Sequence, residues 1–156
     1  MPVTVSCRTA KAAGWRAHLA TRARTALRVL GVSRYELSVA LVDDDEMRDL
    51  NARFRGRDRA TDVLSFPMSE LAPEDALPPL HRGAGRLLGD VVISIDTAAR
   101  QARASRCSLA RRLDALLVHG VLHLLGYDHE LSPAEDRRMR RRAREVQAVL
   151  PRRRLG

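Results

Sequence analysis

Cysteine is nearly missing from this chain: Cys7 and Cys107 lie far apart, with no C-x-x-C spacing. That excludes a disulfide framework and a cysteine-ligated metal site, and both thiols read as buried small hydrophobes. No run of about 18 uninterrupted apolar residues occurs, which is what a membrane-crossing helix needs. Residues 1–15, MPVTVSCRTAKAAGW, lack a basic stretch followed by an apolar one, so no secretory leader is read and a soluble, cytoplasmic protein is expected. Lysine is the third scarcity. Lys11 stands alone, so the 28 Lys+Arg that outweigh 19 Asp+Glu and give a net charge of +9 are almost all arginine. A planar guanidinium binds phosphate oxygens bidentately and stacks on bases, which an ammonium does not do. The composition points towards nucleic acid, although a genome-wide codon preference for arginine would leave the same mark.

What is present is concentrated in one run, HGVLHLLGYDH, from His119 to His129, which holds three of the five histidines. If the run is helical as far as Leu125, His119 and His123 stand at i and i+4 on one face, with Cβ atoms roughly 5–6 Å apart. Two imidazoles at that separation can share one ion. Gly126 tolerates the left-handed conformation that ends a helix, and the chain can double back to bring His129 to the same ion. Three protein ligands leave one position open, the pattern of catalytic rather than structural zinc. The run also lacks something: where the H-E-x-x-H proteases carry their general-base glutamate, this chain has Gly120.

A chain of 156 residues has the size of one domain and should bury roughly 68–70% of its unfolded surface, enough for an unstapled core. A single domain over residues 1–156 is expected. Alternating periodicities predict strands at Val3–Ser6, Glu36–Val42, Val63–Phe66 and Leu87–Ser94. Helices are predicted at Ala13–Leu30, from Asp43 or Asp44 through Asn51, and at Asp96–Ser105. A long apolar helix capped by Ser108 carries the first two histidines, and a Ser132–Glu135 capping box opens the last helix, which runs to about Leu150. The fold class is α+β: a small mixed sheet of about four strands packed with helices, with the metal site on a core helix and the turn after it. Residues 67–85, rich in proline and glycine, read as a mobile loop beside the site.

Three separate blocks, LNARFRGRDRATDVLSFP, LLGDVVIS and HGVLHLLGYDH, resemble in their order the YbeY family of rRNA maturation endoribonucleases. The resemblance spans most of Leu50 to Leu131. It implies a zinc-dependent, single-strand-specific endoribonuclease acting in 16S rRNA 3′-end maturation and ribosome quality control. Its partners would be single-stranded RNA, rRNA and ribosomal particles. By the same resemblance His119, His123 and His129 are the ligands of one zinc ion, His119 also counts among the catalytic residues, and the functional arginine is Arg55. Phe54 replaces the tyrosine usual in the family. The last helix, commonly acidic in such proteins, here carries Arg137, Arg138, Arg140, Arg141, Arg142 and Arg144, followed by Arg152, Arg153 and Arg154. This run is either added rRNA affinity or a solvated face.

Asp128 is a weak candidate for orienting a ligand imidazole, while Asp62 and Asp90 read at least equally well as structural residues. His18 and His81 fall outside every block and read as surface residues. Ligand imidazoles must be neutral, so metal occupancy is expected to fall as pH drops through about 6. Two other classes stay open: a metal-dependent peptide or amide hydrolase, and a ribosome-assembly factor whose metal is structural.

Overall fold

The computed structural model describes residues 3–68 and 86–151. Four strands, β1 (Val3–Cys7), β2 (Tyr35–Val42), β3 (Val63–Pro67) and β4 (Arg86–Ser94), form one mixed sheet in the order β1-β2-β4-β3. The first three in that order run parallel, and β3 joins the edge antiparallel to β4. Five helices accompany them: α1 (Arg16–Val29), α2 (Asp44–Arg55), α3 (Ile95–Ser105), α4 (Leu109–Leu124) and α5 (Pro133–Val149). The α+β class and the mixed four-stranded sheet are as expected.

Side chains alternate across a strand, and the two faces of this sheet separate cleanly. Leu37, Val39, Leu41, Val91 and Ile93 form one buried cluster with residues of α1 and α4, among them Leu19, Leu27, Leu117 and Val121. On the opposite face Val42, Leu64, Phe66 and Val92 pack against Met47 and Leu50 of α2. Helix α5 lies outside this arrangement and buries Met139, Val146 and Leu150 against Val118 and Leu122 of α4. Thus α4 is covered on both sides, as its leucine content suggests.

The expected caps are in place. Asp43, Ser108 and Ser132 each accept a hydrogen bond from the backbone N–H three residues on, at 2.9, 3.1 and 3.1 Å. Helix α2 runs a turn beyond Asn51, because Phe54 continues its apolar face and meets Phe66 edge-on at 5.2 Å. That ring contact needs no hydroxyl, so the tyrosine-to-phenylalanine departure leaves it intact. Helix α1 starts at Arg16, after a 3-10 turn at Ala10–Ala12. Both cysteines are free and only half-buried. Among the described residues no helix is long and apolar enough to cross a membrane. The expected loop at 67–85 lies almost wholly outside the described residues, as do His81 and Arg152 to Arg154.

One expectation is overturned. His18 is fully buried rather than on the surface, with Nε2 2.8 Å from Oδ1 of Asp114 on α4. One turn later Arg22, also fully buried, places Nε 3.6 Å from the other oxygen of Asp114 and donates to the Pro151 carbonyl at 2.9 Å. His18 and Arg22 stand at i and i+4 on the face of α1 that meets α4, so they enter the core together around a shared carboxylate. Burial pushes the Asp114 carboxyl up, against the opposing pull of His18 and Arg22.

Gly120 fixes how closely α4 approaches the sheet. A Cβ there would stand 2.6 Å from Val91 Cγ1 and 3.3 Å from Ser65 Oγ. We expect Gly120→Ala to destabilise the protein by about 1–3 kcal/mol, the cost of overpacking a filled core. Urea unfolding measures this, and an unchanged midpoint would show that the contact yields freely.

Candidate metal centre

Helix α4 ends at Leu124, and Gly126 follows with φ 95°, in the left-handed region. The turn is held by the Gly126 N–H to the His123 carbonyl at 3.0 Å and the Tyr127 N–H to the Leu122 carbonyl at 3.1 Å. This geometry brings His129 back to the last two turns of the helix. The three rings face one another, with centroids 4.7 Å apart for His119 and His123, 5.3 Å for His119 and His129, and 5.5 Å for His123 and His129. One potential ligand atom from each lies within 4.8 Å of the others.

The donors fit a metal ion on their own terms. Among the described residues none of the three rings has a hydrogen-bond partner, and Nδ1 of His129 is buried without one. Clustered imidazoles gain by sharing a cation, and three of them form a set suited to zinc and other first-row ions. Burial, with the neighbouring charges of His123 and His129, lowers His119 to about 4, and His123 is lowered by burial and then by His129. Both are therefore neutral, as ligands must be, at ordinary pH. Burial of His119 and His123 moves proton competition below the pH of about 6 expected of ordinary imidazoles.

A stability change follows in the metal-free protein. The unfolded chain protonates this histidine near 6.5 and the folded chain near 4, so between these values the unfolded state binds more protons and stability falls as pH falls. We expect metal-free protein to weaken as pH drops from about 6.5 towards 4, and His119→Gln to flatten that slope. Urea unfolding across the range reads both, and identical slopes would contradict the assignment.

The cluster opens on a cavity of about 940 Å³. Its other wall is the end of α2 and the segment after it, carrying Arg55, Arg57 and Arg59. Arg55 donates to the Ser65 carbonyl at 3.0 Å, and its charge acts on His123. Ser65 in turn donates from Oγ to the Gly120 carbonyl at 3.0 Å, next to His119. This buried serine ties the arginine wall to the histidine helix. Sequence reasoning did not single it out, since a serine inside a strand carries no signal of its partners.

The three aspartates divide. Asp128 accepts the Glu130 N–H at 2.9 Å, a local turn bond. Asp62 lines the cavity, accepts from its neighbour's backbone and from Gln101 and Arg112, and its charge acts on His119. Asp90 is buried in β4, opposite Phe66. Position 120 faces the sheet and not the cavity, so a glutamate there would meet Val91 rather than a substrate.

A family model described as Endoribonuclease YbeY matches residues 5–150. The chain is 54% identical over 128 residues to an endoribonuclease YbeY of Anaeromyxobacter sp. (strain Fw109-5), covering 82% of this chain and 61% of that protein. It is 48% identical over 118 residues to the endoribonuclease YbeY of Aquifex aeolicus, covering 76% and 72%. A solution structure from Thermotoga maritima superposes with a TM-score of 0.58 at 25% identity, over 94% of this chain and 89% of that one. The chain spans just under two thirds of the two Anaeromyxobacter relatives, at 61% and 64% of their lengths. With the family model matching nearly the whole chain, and the Aquifex relative both 48% identical and matched over most of its own length, the chain belongs to the YbeY endoribonuclease family.

Proposed function

We propose that this chain, acting as a single domain, is a zinc-dependent endoribonuclease that cuts single-stranded RNA, with His119, His123 and His129 as metal ligands and Arg55 at the reacting phosphate. The observation that carries this reading is the pairing of three imidazoles, within 4.8 Å of one another, with an arginine wall across one cavity. A bound zinc ion would supply Lewis acidity and lower the pKa of water at the site. The protein's own residues do the rest. Arg55 uses one of its five N–H groups on Ser65 and turns the remaining fork towards charge that grows on the phosphate. The bond from Ser65 to Gly120 keeps that fork in register with the helix bearing the histidines. Folding thus sets the arginine-to-histidine geometry before RNA arrives, which is where such a site gains its rate.

The resemblance of the three sequence blocks supports a place in 16S rRNA 3′-end maturation and ribosome quality control, on ribosomal particles in the cytoplasm. The sheet-facing Gly120 means that a peptide or amide hydrolase would need its carboxylate base from another position. The test is cleavage of matched single-stranded and duplex RNA by chelator-stripped and zinc-restored protein. We expect cutting of the single strand only, lost on stripping and regained on restoration. Equal cutting of both forms, or RNA binding without any cutting at full metal occupancy, would overturn the proposal.

A further inference from the structure

Several arginines of this protein are neutralised by a neighbouring acid. Arg8, Arg48, Arg100, Arg112, Arg138, Arg140 and Arg142 each pair with a carboxylate. The segment after α2 carries unpaired arginines at the cavity itself. Among the described residues Arg57 and Arg59 form no ion pair, both are exposed, and both line the cavity that holds the histidines. Their backbone is nonetheless fixed. Buried Asn51 accepts the Arg57 N–H at its own carbonyl, at 3.3 Å, and donates from its side chain to the Arg59 carbonyl at 2.8 Å. The acid between them, Asp58, is turned onto Arg48 through contacts of 2.7 and 3.3 Å. A rigid ribbon thus presents two uncompensated guanidinium groups to the cavity while its one negative charge is masked.

We propose that Arg57 and Arg59 form a second phosphate subsite, which grips a backbone phosphate of the RNA strand next to the one placed by Arg55 and the histidines. The identity of the polyanion rests on the endoribonuclease reading; the subsite itself rests on the geometry of the ribbon. Arginine suits this task because its fork matches two phosphate oxygens at once. A subsite of this kind reads the backbone and not the bases, so it adds affinity without sequence preference. It also makes binding depend on strand length, since a dinucleotide has only one phosphate.

The test uses full-length, metal-loaded protein and a labelled decauridylate in a fluorescence-anisotropy titration across salt concentrations. Each phosphate contact contributes about 0.7 to the log–log salt slope for a single strand, so Arg57→Gln/Arg59→Gln should lower that slope by about 1.4. Affinity at physiological salt should fall about tenfold, the order expected of two exposed charge pairs. In competition with the dinucleotide UpU the penalty should vanish. Arg48→Gln should also weaken decamer binding, by unmasking Asp58, and Arg48→Gln/Asp58→Asn should restore it. An unchanged salt slope in the double variant, or an equal penalty on UpU and decamer, would overturn the subsite. These readouts are binding constants, so a protein that binds as described yet fails to cut RNA would sink the catalytic reading alone.

Discussion

His123→Ala should release the metal and abolish RNA cleavage while leaving the fold intact. Loss of groups that merely orient a metal ligand costs 10–100-fold in affinity or activity, so loss of a ligand itself should cost at least about a hundredfold in metal affinity. The fold should survive because the ring has no hydrogen-bond partner among the described residues. Its neighbours are the two other imidazoles, so its removal leaves no buried group newly unsatisfied. Metal analysis after dialysis, circular dichroism and a cleavage assay together read the result. A folded variant that keeps both its metal and its activity would remove His123 from the site.

The second large effect separates chemistry from metal binding. Arg55→Ala should lower kcat by about 10²–10³, the usual cost of deleting one preorganised donor to a developing oxyanion, with metal content unchanged. Arg55 lies at the C-terminal end of α2, and its only bond among the described residues runs to the Ser65 carbonyl. Truncation therefore empties the fork from the cavity while leaving the three imidazoles in place, though it removes a charge that acts on His123. Arg55→Lys should recover little, because an ammonium restores the charge and not the two-pronged geometry. If kcat were unchanged and only KM rose, Arg55 would be a binding residue with no part in the transition state.

Much of this arrangement was legible in the sequence, for reasons that can be stated residue by residue. The i and i+4 spacing of His119 and His123 is fixed by helix geometry, and Gly126 signalled the turn that returns His129. Caps at Ser108 and Ser132, and short apolar strands, were local facts and could be read locally. Strand order was not, since the place of β3 at the sheet edge beside β4 depends on contacts between distant segments. His18 was misread as a surface residue because it falls outside the three sequence blocks. The tertiary pairing with Asp114 offsets the cost of its burial. Gly120 was recognised as a missing base, but its packing against Val91 belongs to the three-dimensional structure. The arginine ribbon was hidden for a similar reason: which guanidinium groups lack counterions is a property of space, not of composition.

If the three histidines hold a metal on which catalysis depends, cleavage must follow the occupancy of that site. This is tested most directly by measuring the single-strand cleavage rate against zinc content in one preparation, titrated from fully stripped to fully loaded. The rate should start at background, rise in proportion to bound zinc and level off at one ion per chain. A rate independent of zinc content, in protein shown to be folded and free of contaminating nuclease, would contradict it.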